Sequence, residues 1–220
     1  MKVSSVNNFH LKGFTLLELL VSLSIMLIMT GVLFMRYPET VKRLTLANMT
    51  HTTALLIREA QVRGSAVDSF NSSIGGYGVY MALANPNKLI LFGDVVDGTL
   101  STYQILVGDG LFQNENPVDE TKTVTFFPKG YNVTKLCVGS GFPFICNTDN
   151  TPPITTLTVS FTRPNPQPNI YVNDSKATNY STGCVELHSP LAPLGGHVRS
   201  VQFFNSGMIR TLTTACDNNP

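Results

Sequence analysis

Between Gly13 and Met35 the chain carries an apolar run that constrains most of what can follow. From Phe14 to Phe34 there are 21 residues and a single charge, Glu18. At about 1.5 Å of rise per helical residue the run reaches about 31 Å, close to the hydrocarbon thickness of a bilayer. A core helix of a soluble domain shows polar residues every third or fourth position. This run does not, so it reads as a membrane helix. The residues ahead of Gly13 include Lys2, His10 and Lys12 and no acid. A secretory signal places a small-residue cleavage site after its apolar run, but Ala-x-Ala spacing is absent between Phe34 and Glu39. Glu18 is a second anomaly. A carboxylate in hydrocarbon costs on the order of a few kcal/mol, so its presence asks for a function and a partner.

The stretch Gly13-Phe14-Thr15-Leu16-Leu17-Glu18-Leu19-Leu20-Val21 resembles the type IV prepilin signature. The resemblance covers about the first tenth of the chain. It implies cleavage after Gly13 by an inner-membrane prepilin peptidase and methylation of the new amino terminus on Phe14. It also implies an assembly role for Glu18, the fifth residue after the cut. The implied topology is a single pass through the inner membrane, with the amino terminus cytoplasmic and the carboxy-terminal domain periplasmic, followed by a place in a filament at the cell surface. The implied partners are the peptidase, other pilin or pseudopilin subunits, and the inner-membrane assembly platform. Flanking charge does not decide the orientation, with Lys2 and Lys12 on one side and Arg36, Lys42 and Arg43 on the other.

The expected fold class is α+β and pilin-like: a long amino-terminal transmembrane helix packed on a carboxy-terminal antiparallel β-sheet domain. The expected divisions are a leader at 1–13, a membrane half of the helix at 14–37, an amphipathic half packed on the domain at 38–68, and a β-rich extracytoplasmic domain at 69–220. Pro38 lacks an amide proton and clashes with the carbonyl of Phe34, which predicts a kink. From Glu39 to Ala66, Val41, Leu44, Ala47, Ala54, Leu55 and Val62 recur at helical spacing, and His51 and Arg58 interrupt the stripe. Gly64 and Ser65 are expected to end the helix, so residues 14–64 would form a rod of about 75 Å.

After Ser69 the pattern changes to strands. Tyr77–Leu83 and Lys88–Phe92 flank Asn85-Pro86-Asn87, a hairpin signal. Tyr103–Val107 is a further candidate, and Val124–Phe127 is followed by Tyr131–Val138, expected as its return strand. Thr156–Phe161 alternates, so Leu157, Val159 and Phe161 share one buried face. Pro164, Pro166 and Pro168 suggest an extended connector, and Cys184–Leu187, Arg199–Phe204 and Ile209–Thr213 are late strands. Val124-x-Phe126-Phe127-x-x-Gly130 recurs as Val201-x-Phe203-Phe204-x-x-Gly207, which reads as two hairpins of the same type with Gly at each turn.

All four cysteines, Cys137, Cys146, Cys184 and Cys216, lie beyond the apolar helix. Three connectivities are open, and proximity favours Cys137–Cys146 and Cys184–Cys216. There is no C-x-x-C, and His188 is the only histidine near a cysteine, so disulfides in an oxidising compartment are favoured over a metal site. Without residues 1–13, 13 Lys and Arg face 14 Asp and Glu, so no global charge points to nucleic acid. There is no H-E-x-x-H and no G-x-S-x-G, and Gly108-Asp109-Gly110 lacks a following P-loop lysine. The chain is therefore not expected to be an enzyme or to hold a cofactor or metal. Asp94, Asp97 and Asp109 read as turn acids, because EF-hand spacing is missing. Asn-x-Ser/Thr triplets at Asn48, Asn71, Asn132, Asn173 and Asn179 read as accidental.

The segment from Gly196 to Arg210, containing Gly196-His197-Val198-Arg199, resembles the carboxy-terminal part of H-type pseudopilins and FimT-type minor pilins. Ile57-Arg58-Glu59-Ala60-Gln61-Val62-Arg63-Gly64 is similar to the helix end of the same group. FimT-type minor pilins carry a basic G-R-x-R motif that contacts DNA, and here a histidine replaces the first arginine. The resemblance would leave Arg199 and Arg210 as phosphate contacts, with Lys135 or Arg163 nearby. The reading is a minor pilin or pseudopilin, a structural subunit of a type IV pilus or a type II secretion pseudopilus in a priming or tip role. The alternative is a DNA-binding minor pilin of a DNA-uptake pilus.

Overall fold

The computed structural model describes residues 13–66, 76–94, 110–115, 118–141, 143–147, 153–162, 165–176, 180–192 and 196–216. The strand expected at Tyr103–Val107 lies outside these residues, as do Asn71, Asp97, Asp109, Arg163, Pro164 and Asn179. The chain divides into two compact units, residues 1–41 and 42–220. One helix, α1, runs Leu16–Ser65.

In the first unit, α1 starts on a cap. The Glu18 amide donates to Thr15 Oγ1 at 3.2 Å, which satisfies an amide that a helix start otherwise leaves unpaired, and the Leu19 amide makes the first intrahelical bond, to the Thr15 carbonyl at 3.2 Å. The large apolar side chains from Phe14 to Met35 are exposed, and α1 is long and apolar enough to cross a membrane. Three hydroxyls within the run are satisfied by the helix itself. Ser22, Ser24 and Thr30 donate to the carbonyls of Leu19, Leu20 and Met26 at 2.9, 2.8 and 2.6 Å. Helical structure continues unbroken through Pro38.

The second unit begins with the rest of α1. Its buried face is Leu46, Met49, Thr50, Thr53, Leu56, Ile57, Ala60, Gln61 and Gly64. This corrects the sequence reading, whose stripe members Leu44, Leu55 and Val62 are exposed. The cause is local. Thr50 and Thr53 donate to the carbonyls of Leu46 and Met49, at 2.7 and 2.9 Å, so their hydroxyls are satisfied within the helix and can be buried. Ala60 and Gly64 let the helix approach a strand closely: a Cβ on Gly64 would lie 2.4 Å from the Phe161 carbonyl oxygen.

Among the described residues thirteen strands follow: β1 Tyr77–Ala82, β2 Lys88–Gly93, β3 Asn114–Glu115, β4 Val118–Asp119, β5 Thr121–Phe126, β6 Asn132–Gly139, β7 Ile145–Cys146, β8 Thr156–Thr162, β9 Asn165–Val172, β10 Ser175–Lys176, β11 Thr182–His188, β12 Val198–Phe204 and β13 Ile209–Leu212. They build a six-stranded sheet in the order β10-β9-β8-β1-β2-β5, a five-stranded sheet in the order β13-β12-β11-β6-β7, and the β3-β4 ribbon. All pairings are antiparallel. The core gathers Leu46, Leu56, Ile57 and Ala60 of α1 with Val79, Met81, Leu89, Leu91, Leu157, Val159 and Phe161 of the larger sheet. From the smaller sheet it takes Leu136, Val185, Leu187, Val201 and Phe203. The fold is thus α+β and pilin-like, with α1 packed on antiparallel sheets.

Three local expectations change. β5 and β6 are not a hairpin: β5 pairs with β2 in one sheet and β6 with β11 in the other. Gly130 still makes the turn between them at φ 86°, the left-handed region where glycine carries no penalty. The matching Gly207, at φ 81°, does join a hairpin, β12 to β13. Pro166 and Pro168 lie in a strand rather than a connector. β10 pairs only with Tyr171 and Val172, so the rest of β9 is a sheet edge, where a missing amide proton breaks no ladder bond. Finally, β8 is covered on both faces, because Thr158 and Ser160 are buried along with Leu157, Val159 and Phe161.

Candidate processing and assembly site

Gly13 and Phe14 are exposed and immediately precede the helix, and nothing lies within 4 Å of a Cβ placed on Gly13. Thr15 is the helix cap and Glu18 stands three residues on, the spacing of a capping box. Sequence reasoning gave Glu18 a role and overlooked Thr15, although Thr-x-x-Glu ahead of an apolar run is a legible helix start. Glu18 is exposed, in the first turn of α1. An acid there also faces the positive end of the helix dipole.

The cysteines gather on the outer face of the five-stranded sheet. Cys137 is disulfide-bonded to Cys146 and Cys184 to Cys216, and among the described residues no cysteine is free. Cys137 is the direct cross-strand neighbour of both Cys146 and Cys184, so the two bridges lie side by side, packed with Phe144. Period-two alternation in β11 puts Cys184, Glu186 and His188 on this face. Glu186 is 2% exposed. Its Oε1 meets His188 Nε2 at 2.6 Å, and its Oε2 accepts the Cys216 amide at 3.2 Å, with Lys135 Nζ at 3.9 Å. Ser200 Oγ donates to the Thr214 carbonyl at 2.9 Å. A covalent bond, a buried carboxylate and a hydroxyl thus hold the carboxy-terminal segment on the sheet.

The segment Gly196-His197-Val198-Arg199 is spent on structure at its second position. His197 is fully buried. Arg43 Nε donates to His197 Nε2 at 3.3 Å, and an arginine can only donate, so the ring proton sits on Nδ1, 2.7 Å from Ser189 Oγ. Gly196 sits at φ 78°, and a Cβ placed on it would lie 3.4 Å from the Arg43 guanidinium. The Tyr131 hydroxyl donates to the Lys42 carbonyl at 3.2 Å close by in sequence. Arg199 and Arg210 are not brought together. Arg199 shares a strand face with Val201 and Phe203, toward the core. Arg210 pairs with Gln202 on the opposite face, where its Nε donates to Gln202 Oε1 at 2.7 Å and its guanidinium lies 5.3 Å from the Phe204 ring centre. Lys135 is held near Glu186.

The other candidates have structural roles. Asp94 Oδ2 accepts the Gly110 amide at 2.9 Å. Among the described residues there is no group of three or more acidic, His or Cys side chains that could hold a metal. Asn173, at φ 50°, clamps a turn: its Oδ1 accepts from the Thr155 amide at 2.8 Å and the Thr156 amide at 3.2 Å, and its Nδ2 donates to the Pro153 carbonyl at 2.9 Å.

Residues 10–34 match the family model described as the prokaryotic N-terminal methylation motif. The match supports a type IV prepilin-like precursor. In general terms it implies processing by a prepilin peptidase and assembly as a pilin-type subunit, and together with the apolar helix it is consistent with membrane anchoring. Among curated proteins and solved structures, none matches the chain.

Proposed function

We propose that the chain is a minor pilin or pseudopilin, a structural subunit of a type IV pilus or type II secretion pseudopilus with a priming or tip role. It is cut after Gly13 and methylated on Phe14. It holds its carboxy-terminal domain in the periplasm until the subunit leaves the inner membrane for the filament. The observation that carries this reading is the methylation-motif match at 10–34, lying on an exposed cleavage bond and a helix that continues into an α+β domain. The two disulfides suit an oxidising compartment. H-type pseudopilins and FimT-type minor pilins remain the group its helix end and carboxy-terminal segment resemble.

The DNA-uptake alternative draws less support from the geometry. The motif's histidine is buried, and Arg199 and Arg210 face opposite sides of a sheet, whereas phosphate binding needs several cations on one surface. Mass spectrometry of the protein from membranes and from sheared filaments tests the main reading. The expected product begins at an N-methylated Phe14 and is present in both fractions. A chain that keeps Met1, or one cut near Phe34, would overturn it.

A further inference from the structure

The four cysteines form one cluster, packed with Phe144, and all four are buried. The strand order sets β6 between β11 and β7, so Cys137 has Cys184 directly opposite on one side and Cys146 directly opposite on the other. Directly opposed residues of an antiparallel pair have Cα atoms about 4.5–5.5 Å apart, within the about 4.4–6.8 Å that a disulfide spans. Cys137 can therefore be bridged to either neighbour without moving a strand. Cys146 and Cys184 cannot be bridged to each other, because they stand two strand spacings apart, about 10 Å.

The folded chain leaves the Cys137–Cys184 option unused, since Cys184 is bonded to Cys216. Cys216 reaches the sheet by another route. It lies beyond β13, in the carboxy-terminal segment. Two hydrogen bonds seat that segment: the Cys216 amide donates to Glu186 Oε2 at 3.2 Å, and Ser200 Oγ donates to the Thr214 carbonyl at 2.9 Å. On its other side β11 pairs with β12, where Gln202 stands opposite Cys184. Until the carboxy-terminal segment is seated, the cysteine that faces Cys184 across the sheet is Cys137.

We propose that the quartet is a thiol–disulfide relay centred on Cys137, in which the seating of Cys216 selects the final pairing. With Cys137–Cys146 closed and Cys184 reduced, the Cys184 thiolate attacks Cys137 Sγ. The Cys137–Cys184 bond forms and Cys146 leaves as a thiolate. Once the carboxy-terminal segment is seated, the Cys216 thiolate attacks Cys184 Sγ. The Cys184–Cys216 bond forms and Cys137 leaves as a thiolate, beside Cys146. Each step makes one disulfide and breaks one, so neither needs an oxidant. Closing Cys137–Cys146 again removes two electrons and two protons from the thiols, and a disulfide oxidant accepts them. In the finished cluster no thiol remains to attack, so the exchange stops there. The relay is independent of the assembly reading.

The test uses three single variants of the full-length chain in detergent, each leaving three cysteines. Each is held at about pH 8.5, where a free thiol is part thiolate, then quenched in acid, alkylated and mapped by peptide mass spectrometry. Cys216→Ser is expected to show both Cys137–Cys146 and Cys137–Cys184. Cys146→Ser is expected to show both Cys184–Cys216 and Cys137–Cys184. Cys137→Ser removes the centre of the relay, so it should show Cys184–Cys216 alone, with the free thiol on Cys146. The last variant also separates exchange in the fold from scrambling in an unfolded chain, which would join Cys146 to Cys184. Native pairing alone in either of the first two variants overturns the proposal. A Cys146–Cys184 bridge in Cys216→Ser or in Cys137→Ser overturns it as well, because the sheet would then not be choosing the partners.

Discussion

Replacing His197 tests whether the domain uses this residue as a clamp on α1. In the folded chain its imidazole is fully buried and bonded through both nitrogens, to Arg43 of α1 and to Ser189. His197→Ala removes both bonds and leaves a hole. The Ser189 bond is worth about 1 kcal/mol. The Arg43 bond is worth about the same, because water reaches the exposed arginine and replaces part of the loss. The unfilled ring volume adds about 1–2 kcal/mol. The expected loss is about 3–4 kcal/mol. Guanidinium unfolding of the full chain in detergent would measure it, followed by tyrosine near-ultraviolet circular dichroism because the chain has no tryptophan. Hydrogen exchange should quicken at the amides of 42–46, where α1 meets the clamp. His197→Arg should be worse, since it sets a second guanidinium beside Arg43 in a buried site, and it should give no gain in DNA affinity. A loss below about 0.5 kcal/mol for His197→Ala, within the range of ordinary surface changes, would refute the clamp.

Three further outcomes follow from the same geometry. Gly64→Ala would raise helix propensity but drive a Cβ to 2.4 Å from the Phe161 carbonyl oxygen; the net expectation is a loss of about 1–3 kcal/mol by chemical denaturation, and a gain in stability would contradict that approach. Cys184→Ser with Cys216→Ser opens a bridge of sequence separation 32 and should cost about 4 kcal/mol, against about 3 kcal/mol for the Cys137 and Cys146 pair at separation 9; the reverse order in thermal melts would contradict the loop-length reasoning. Burial pushes the Tyr80 phenol above its ordinary value of 10.0, and the Asp174 carboxylate adds to the shift. A raised folded value means that its contribution is fully present below pH 10.0 and is lost as pH rises through the folded value. Tyr80→Phe should therefore flatten the alkaline fall in stability above pH 10.0 and leave neutral stability nearly unchanged, and equal alkaline slopes for the two proteins would refute the assignment.

What was legible in the chain was local. The apolar run is read from consecutive residues, and so is the β12–β13 hairpin, where Val201–Phe204 leads directly into Gly207 at φ 81°. The same letters, Val124-x-Phe126-Phe127-x-x-Gly130, do not make a hairpin, because β5 finds its partner in β2, more than thirty residues earlier. Strand pairing is settled by distant competition, and a repeated motif does not record it. The buried face of α1 was misread for a related reason. Spacing of large apolar residues picks Leu44, Leu55 and Val62, whereas the sheets take the face where Ala60 and Gly64 permit close approach and two threonines satisfy themselves. The carboxy-terminal motif was legible as letters and not as a site. Neither the buried contact of His197 with Arg43 nor the separation of Arg199 from Arg210 leaves a mark at short range.

Glu18 now has two physical accounts that make different demands on the residue. As part of a helix start it follows the Thr15 cap and needs a side chain that accepts hydrogen bonds, which Gln supplies. As an assembly residue it needs its negative charge, because a positive group in hydrocarbon, such as the amine that cleavage would expose on Phe14, pairs far more strongly with a carboxylate than with an amide. Glu18→Gln separates the two. It should leave the start of α1 and the cut after Gly13 intact, yet lower incorporation into filaments at least several-fold. Thr15→Ala is the complement: it removes the cap, costs about 1 kcal/mol of local helix stability, and keeps the charge. If Glu18→Gln subunits enter sheared filaments at the wild-type level while Thr15→Ala subunits do not, the helix start is what matters and the charge has no assembly role. If only Glu18→Gln fails, the carboxylate is retained in lipid for its charge, and the cap is simply how the chain begins a helix there.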